Sequence, residues 1–289
     1  MKNKLTVVIP VYNAEQYIEE TIHSVLTQTY RDFEVVIVND GSTDRTREII
    51  DEIAQSDERI RIINKPNTGV CETRNKGADE AKANYLCFLD ADDIFLPTNL
   101  EMKVAFLEQN PDIGLVHADV ALIDEHSNKI NQILSGKSGD ILDDLLLWNG
   151  TCIPAPSSIM VRREVFEKVG KWDASFSTAA DQDFFFRVAA HYKIGRIPEV
   201  LTQYRIHMSG MSRNIEVMEK DHIGVYKKAA QQGLFKSFWF RRKCFSNLYL
   251  ILAGSWWKDG NSKPRGLWFA LLSCLIYPPQ IKSIFKKLF

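Results

Sequence analysis

The sequence predicts an α/β fold in which a mostly parallel central sheet is flanked by helices, with a helical, basic and aromatic extension at the C-terminus. Three observations lead there. Short apolar runs rich in β-branched residues alternate with segments of helical spacing, polar clusters follow three of those runs, and the composition changes from Lys236 onward. In chain order, Val7-Val8-Ile9-Pro10-Val11 reads as a strand, and Ile18, Ile22 and Val25 stripe the helix after it. Phe33-Glu34-Val35-Val36-Ile37-Val38 is a second strand, followed by a helix marked by Ile49, Ile50 and Ile53. Ile60-Arg61-Ile62-Ile63 is a third, a helix opens after Gly69, and Tyr85-Leu86-Cys87-Phe88-Leu89 is a fourth. Such a β-α-β-α-β-α-β alternation runs neighbouring strands parallel and gathers their carboxyl ends at one edge, where ligands bind. Pro10-Val11-Tyr12-Asn13, Asn39-Asp40-Gly41-Ser42-Thr43-Asp44 and Asp90-Ala91-Asp92-Asp93 therefore belong to one site.

With 289 residues, 45% of them hydrophobic, and a formal net charge of −1, the chain can bury a large α/β domain and leave a smaller appendage. No GxGxxG follows the first strand, which disfavours a dinucleotide-binding domain, and the absence of GxxxxGKS or GxxxxGKT argues against a P-loop. The cysteines, Cys71, Cys87, Cys152, Cys244 and Cys274, are odd in number and form no CxxC pair, so reduced thiols are expected rather than disulfides or a zinc site. The first strand begins close to Met1, which leaves no room for a signal peptide and predicts a cytoplasmic location.

The apolar strand ending in Asp90, Asp92 and Asp93 is costly unless a cation or ligand neutralises it. Asp90 and Asp92 share one side of an extended backbone, and like charges that close raise each other's pKa. Oxygen ligands suit Mg²⁺ or Mn²⁺, which are typically held by one or two carboxylates together with substrate phosphates.

Taken together, these residues resemble a family 2 glycosyltransferase of the GT-A, nucleotide-sugar-binding type. The likeness covers roughly positions 4 to 210 and is carried by Val8-Ile9-Pro10-Val11-Tyr12-Asn13-Ala14-Glu15, Val38-Asn39-Asp40-Gly41-Ser42-Thr43-Asp44, Asn67-Thr68-Gly69 with Arg74-Asn75-Lys76-Gly77, Phe88-Leu89-Asp90-Ala91-Asp92-Asp93, and Asp181-Gln182-Asp183 running into Phe184-Phe185-Phe186-Arg187. The resemblance implies that Pro10, Tyr12, Asn13, Glu15, Asp40, Asn67, Gly69, Arg74, Asp90, Ala91, Asp92 and Arg205 surround a nucleoside diphosphate sugar. Tyr12 would stack on the base, Asp40 accept its ring N–H, Arg74 meet the phosphates, Asp90 contact the ribose and Arg205 the leaving group. Asp92, with His207, would hold the Mn²⁺ or Mg²⁺ that bridges the two phosphates. Gly41 permits a turn, and Ser42, Thr43 or Asp44 caps the second helix. Asp181 is the expected general base, presented by a helix anchored through Phe184, Phe185 and Val188. Members of the family carry a Glu-Asp pair at that point, and this chain reads Ala180-Asp181, a departure that bears on acceptor choice. A single carboxylate base without a nucleophile partner implies direct displacement with inversion. Trp172-Asp173 resembles an acceptor-side segment or else belongs to the core, and Ala155-Pro156-Ser157-Ser158-Ile159-Met160 reads as a turn into a strand.

The implied activity is transfer of a sugar, from UDP by expectation, to a glycan or lipid-linked acceptor in cell-surface polysaccharide or lipopolysaccharide synthesis. The competing reading is a nucleotide-sugar-binding or scaffolding relative that lost turnover. The region 1–212 is expected to form the catalytic domain and 213–289 a helical extension. From Lys236 to the end, ten basic residues face only Asp259, a net +9, which leaves −10 for the rest. With Trp256, Trp257, Trp268 and Tyr277, this tail reads as a surface for anionic lipid headgroups at the inner face of the cell membrane, or as a helical hairpin packed on the catalytic domain or on a dimer partner. Its longest uncharged apolar run, Leu267 to Tyr277, is 11 residues and falls short of the roughly 20 that a spanning helix needs. Ile281, Ile284, Phe285 and Leu288 share one helical face, flanked by Lys282, Lys286 and Lys287. No nucleic-acid partner is expected.

Overall fold

A computed structural model describes residues 4–207, 214–260 and 262–281. The expected alternation is present as β1 (Leu5–Val11), α1 (Ile18–Leu26), β2 (Phe33–Asn39), α2 (Thr46–Ser56), β3 (Ile60–Asn64), α3 (Val70–Glu80) and β4 (Tyr85–Phe88). The chain continues through β5 (Ile94–Phe95), α4 (Asn99–Gln109), β6 (Ile113–Ile123), β7 (Lys129–Leu134), α5 (Leu142–Leu147), β8 (Ile159–Arg162), α6 (Arg163–Val169), α7 (Ala180–Ala189) and β9 (Lys193–Arg205). Three helices follow, α8 (Ile215–Gln231), α9 (Phe238–Lys258) and α10 (Lys263–Ile276). Of the segments singled out in the sequence, Met208 to Ser212 and the apolar and basic positions from Lys282 to Leu288 lie outside the described residues.

Two compact units emerge. The first comprises residues 1–141, 151–174 and 187–208 and holds the sheet, ordered β3-β2-β1-β4-β8-β6-β9-β5 with β7 also paired to β6. Strands β1 to β4 are mutually parallel, and beyond β4 the antiparallel β8 joins them to β6, which runs parallel to β9. Register sets the site. Val11 pairs with Asn39 and Asn39 with Asn64, so β1, β2 and β3 end level with one another. Phe88 sits opposite Val8, and the Leu89 amide donates to the Val8 carbonyl at 3.0 Å, which delivers Asp90 to Asp93 beside the end of β1.

Continuous apolar runs explain why these segments became strands covered on both sides: every residue of β1 and β4 is buried. Ile18, Ile22 and Val25 of α1 are fully buried in the same core, and Ile50 of α2 joins them with Ile49 and Ile53 at its margin. Helix α3 approaches the sheet so closely that a Cβ added at Gly77 would lie 2.3 Å from Val8 Cγ1. Lys103 of α4 is fully buried, its ammonium 5.1 Å from the centre of the Phe95 ring and without a hydrogen-bond partner among the described residues. Burial pushes its pKa down to about 8. No disulfide joins the cysteines among the described residues, and four of the five are buried.

The second unit comprises residues 142–150, 175–186 and 209–289. The division anticipated at 212/213 is therefore corrected: two earlier segments join the C-terminal helices. The reason is their bonding. Tyr226 donates to the Leu146 carbonyl at 2.6 Å, Asn247 donates to Leu147, and the Asp221 carboxylate accepts from the amides and hydroxyls of Ser177 and Thr178. Leu146, Phe186, Tyr226, Phe245, Leu248 and Trp256 share its core. No helix among the described residues is long and apolar enough to cross a membrane.

Candidate active site

The loops after β1 and β2 are laced together. Asn13, with φ of +47°, accepts the Thr43 amide on Oδ1 at 2.8 Å while its own amide donates to Ser42 Oγ at 3.0 Å. Glu15 accepts the Arg45 amide at 3.0 Å, and Asp44 accepts the amide of Thr46, the first residue of α2. Asp44 thus serves the expected helix-capping duty, whereas Ser42 and Thr43 secure Asn13. Asn13 and Glu15, assigned from the sequence to the donor, have their side chains engaged in building this loop pair. Tyr12 stays half exposed at the end of β1.

Asp40 is buried, and its two oxygens accept the amides of Thr68 and Gly69, each at 2.9 Å, while Lys65 Nζ closes an ion pair on the same carboxylate. The expected base acceptor is therefore first of all the anchor of the turn that opens α3. Gly69 holds φ of +93° there as its N-cap. At Gly41, φ is +73° and an added Cβ would lie 3.0 Å from the Asn67 amide nitrogen, so both backbone conformation and the approach of the neighbouring turn call for glycine.

Side chains and backbone from several elements meet at the end of β4. Arg74, on α3, pairs with Asp90 and lies over the Trp172 indole at 5.0 Å. Trp172 is itself core: it is buried, meets Phe88 edge-on at 5.3 Å, and exchanges two hydrogen bonds with Asn75. The Asp90 amide donates to Ser157 Oγ at 3.1 Å, which ties the carboxylate loop to the turn before β8. Asp92 Oδ2 faces His207 Nε2 at 2.7 Å, and the His207 ring lies 5.6 Å from that of Tyr17. Arg205, expected at the leaving group, is spent on protein instead: its guanidinium donates to the Asp92 carbonyl (2.8 Å), Glu20 (2.7 Å), the Asp124 carbonyl (3.2 Å) and Ser127 (2.9 Å), and it stacks on Tyr17. It shapes the carboxylate loop from behind.

The sequence model of Glycosyl transferase family 2 matches residues 6–170, more than half of the chain. The chain belongs to that family. An uncharacterised glycosyltransferase of Haemophilus influenzae is 35% identical over 214 residues, covering 70% of this chain and 65% of the relative, so the chain spans about two thirds of that protein. Among solved structures, S. aureus TarS 1–349 in complex with UDP-GlcNAc superposes with a TM-score of 0.64 at 18% identity, covering 90% of this chain and 74% of that one. The mannosyltransferase PcManGT from Pyrobaculum calidifontis, in complex with GDP-Man and Mn²⁺, gives 0.60 at 17% identity over 99% and 88%. These likenesses establish the GT-A fold.

In this family 2 chain the electrostatics of the cluster are unbalanced. Burial first, and then the Asp90 charge, raise the Asp92 pKa against the pull of His207. Asp93 is fully buried, and burial together with the charges of Asp92 and Asp90 raises it well above the ordinary carboxylate range, although the Arg205 amide donates to it at 3.0 Å. A carboxylate oxygen and an imidazole nitrogen, side by side among further carboxylates, are donors that a divalent cation could take. No group of three such side chains gathers to hold a metal ion among the described residues.

Asp181 belongs to the second unit, in the first turn of α7, and its Oδ1 accepts the Gln182 amide at 2.8 Å. Asp183, next to it, is neutralised by Lys228 at 2.8 Å. Phe184, Phe185 and Val188 are buried as expected. Ala180 is only 3% exposed, so the place where the family pattern has glutamate is here a small buried one. Sequence reasoning missed Lys65, Glu20 and Tyr17, and placed Ser157 only in a turn before a strand. The position of Lys65 directly after β3 was a usable signal, while the others reach the site only through the fold.

Proposed function

We propose that this protein is an inverting, metal-dependent glycosyltransferase that takes a sugar from a nucleoside diphosphate, UDP in the first instance, and passes it to a glycan or lipid-linked acceptor in cell-surface polysaccharide or lipopolysaccharide synthesis. The observation that carries the reading is the Asp92–His207 pair at the end of β4. Asp92 and His207 would hold the cation, which when bound neutralises charge on the departing diphosphate. The chain's own residues do the rest. Tyr12 offers an exposed ring to the nucleobase beside the turn that Asp40 anchors. Arg74 holds Asp90 oriented toward the ribose, and its cationic fork lies within the same loop system. Arg205 keeps the Asp92 carbonyl, and hence the carboxylate loop, in one conformation. Asp181 accepts the proton of the attacking hydroxyl, and displacement by that oxygen inverts the anomeric centre.

Calorimetric titration of UDP, GDP and dTDP with and without Mn²⁺ tests the donor half. Wild type is expected to bind UDP only with metal, and Asp92→Asn to lose that binding without losing its fold. Asp181→Asn is expected to bind donor normally and to lose turnover by roughly two to four orders of magnitude. Equal nucleotide affinity of Asp92→Asn and wild type in Mn²⁺ would overturn the metal assignment.

A further inference from the structure

We propose that the hairpin of α9 and α10 docks the protein on the surface of an anionic lipid bilayer. A helix side turned to water is ordinarily polar. On α10 it is not: Leu267, Trp268, Leu271 and Leu275 are 52% to 69% exposed. At 100° per residue they fall within an arc of about 100°, with Pro264 among them and no polar side chain between. The opposite side, Gly266, Phe269 and Ser273, is buried, and Ser246 and Ser273 bond each other across the helix pair. The outward stripe is therefore a second apolar face on a helix whose first is already used.

The surroundings of the stripe select its partner. Arg242, from the start of α9, donates to the Ile276 carbonyl at the end of α10 and lies 5.5 Å from the rings of both Phe238 and Trp239. Those rings are 64% and 63% exposed, so the apolar surface continues from Leu275 onto α9. At the other end Lys263 stands over the exposed Trp257. Arg241, Lys243, Lys258 and Lys263 are all exposed, and Asp259 is the single acidic residue between Lys236 and Ile281. Aliphatic side chains for the acyl boundary, tryptophans for the headgroup level and a cationic border complement an anionic bilayer on every count. A self-associating face gains nothing from that border, since two copies would bring like charges together. Helix α10 has 14 residues and lies on the bilayer instead of crossing it.

Flotation of the full chain with vesicles of phosphatidylcholine, with and without phosphatidylglycerol, tests the proposal without recourse to the donor site. The expected result is co-flotation with anionic vesicles alone, weakened by salt, with a blue shift of tryptophan emission. Leu271→Asp combined with Leu275→Asp should abolish it, and Lys258→Glu combined with Lys263→Glu should reduce partitioning by on the order of tenfold or more. Unchanged thermal melts confirm that these exposed-face variants fold. Wild type that ignores both vesicle types overturns the proposal, as does undiminished binding by the Leu271/Leu275 variant. Light scattering that shows wild type as a dimer and that variant as a monomer, with no vesicle binding by either, overturns it in favour of a second copy of the chain.

Discussion

Replacing Lys103 with methionine should stabilise this protein at neutral pH. The ammonium is fully buried in the first unit, faces the Phe95 ring at 5.1 Å, and has no hydrogen-bond acceptor among the described residues. Burial lowers its pKa from 10.5 to about 8, with the neighbouring Cys87 opposing that shift weakly. By linkage, a lowering of that size corresponds to about 3 kcal/mol. The sign follows from proton counting. Between pH 8 and 10.5 the unfolded chain binds more protons at this site than the folded one, so wild-type stability rises with pH across that window and carries the full penalty below it. Methionine keeps the unbranched stem and removes the charge, so Lys103→Met should gain about 1 to 3 kcal/mol at pH 7. The gain should shrink toward zero as pH approaches 10.5. Urea midpoints of both proteins at pH 7, 8.5 and 10 measure it. A variant less stable than wild type at pH 7, or an advantage that does not fade with rising pH, would refute the reasoning.

Arg205→Ala should cost about 2 to 4 kcal/mol, because the Asp92 and Asp124 carbonyls lose their donor in a partly buried setting and the buried guanidinium leaves a void, while Glu20, half exposed, regains water; a thermal melt checks it, and metal-dependent UDP affinity should fall with it even though no donor contact is removed. Gly77→Ala should destabilise by about 1 to 3 kcal/mol, since its Cβ would meet Val8 Cγ1 at 2.3 Å and the helix must shift off the sheet. Asp183→Asn should destabilise the second unit by leaving the Lys228 ammonium without its carboxylate at 2.8 Å, measured as a lowered melting temperature with nucleotide affinity unchanged.

Local periodicity carried the first half of the fold. Runs such as Val7 to Val11 are too short and too β-branched for helix, the intervening isoleucines repeat at helical spacing, and the alternation leaves a parallel sheet as the arrangement that covers both faces. The strand-end clusters were legible for the same reason: in such a sheet, position along the chain dictates the edge on which a residue emerges. Beyond β4 that logic weakens. The antiparallel β8 and the long β9 are joined by contacts far apart in sequence, and residues 142–150 and 175–186 are claimed by helices that come later in the chain. No local pattern announces such partners.

Residue type and spacing were thus enough to raise the expectation of a cation, since carboxylates after an apolar strand ask for one; the fold then brings His207 to within 2.7 Å of Asp92 across more than a hundred residues. Which polar groups remain for a ligand was decided by tertiary structure alone. Asp40 is claimed by the amides of Thr68 and Gly69, Asn13 and Glu15 by the loop after β2, and Arg205 by Glu20 and two carbonyls. The physical reason is that a buried donor or acceptor must be satisfied by whatever lies within about 3 Å, and neighbours at that distance are set by packing rather than by order along the chain.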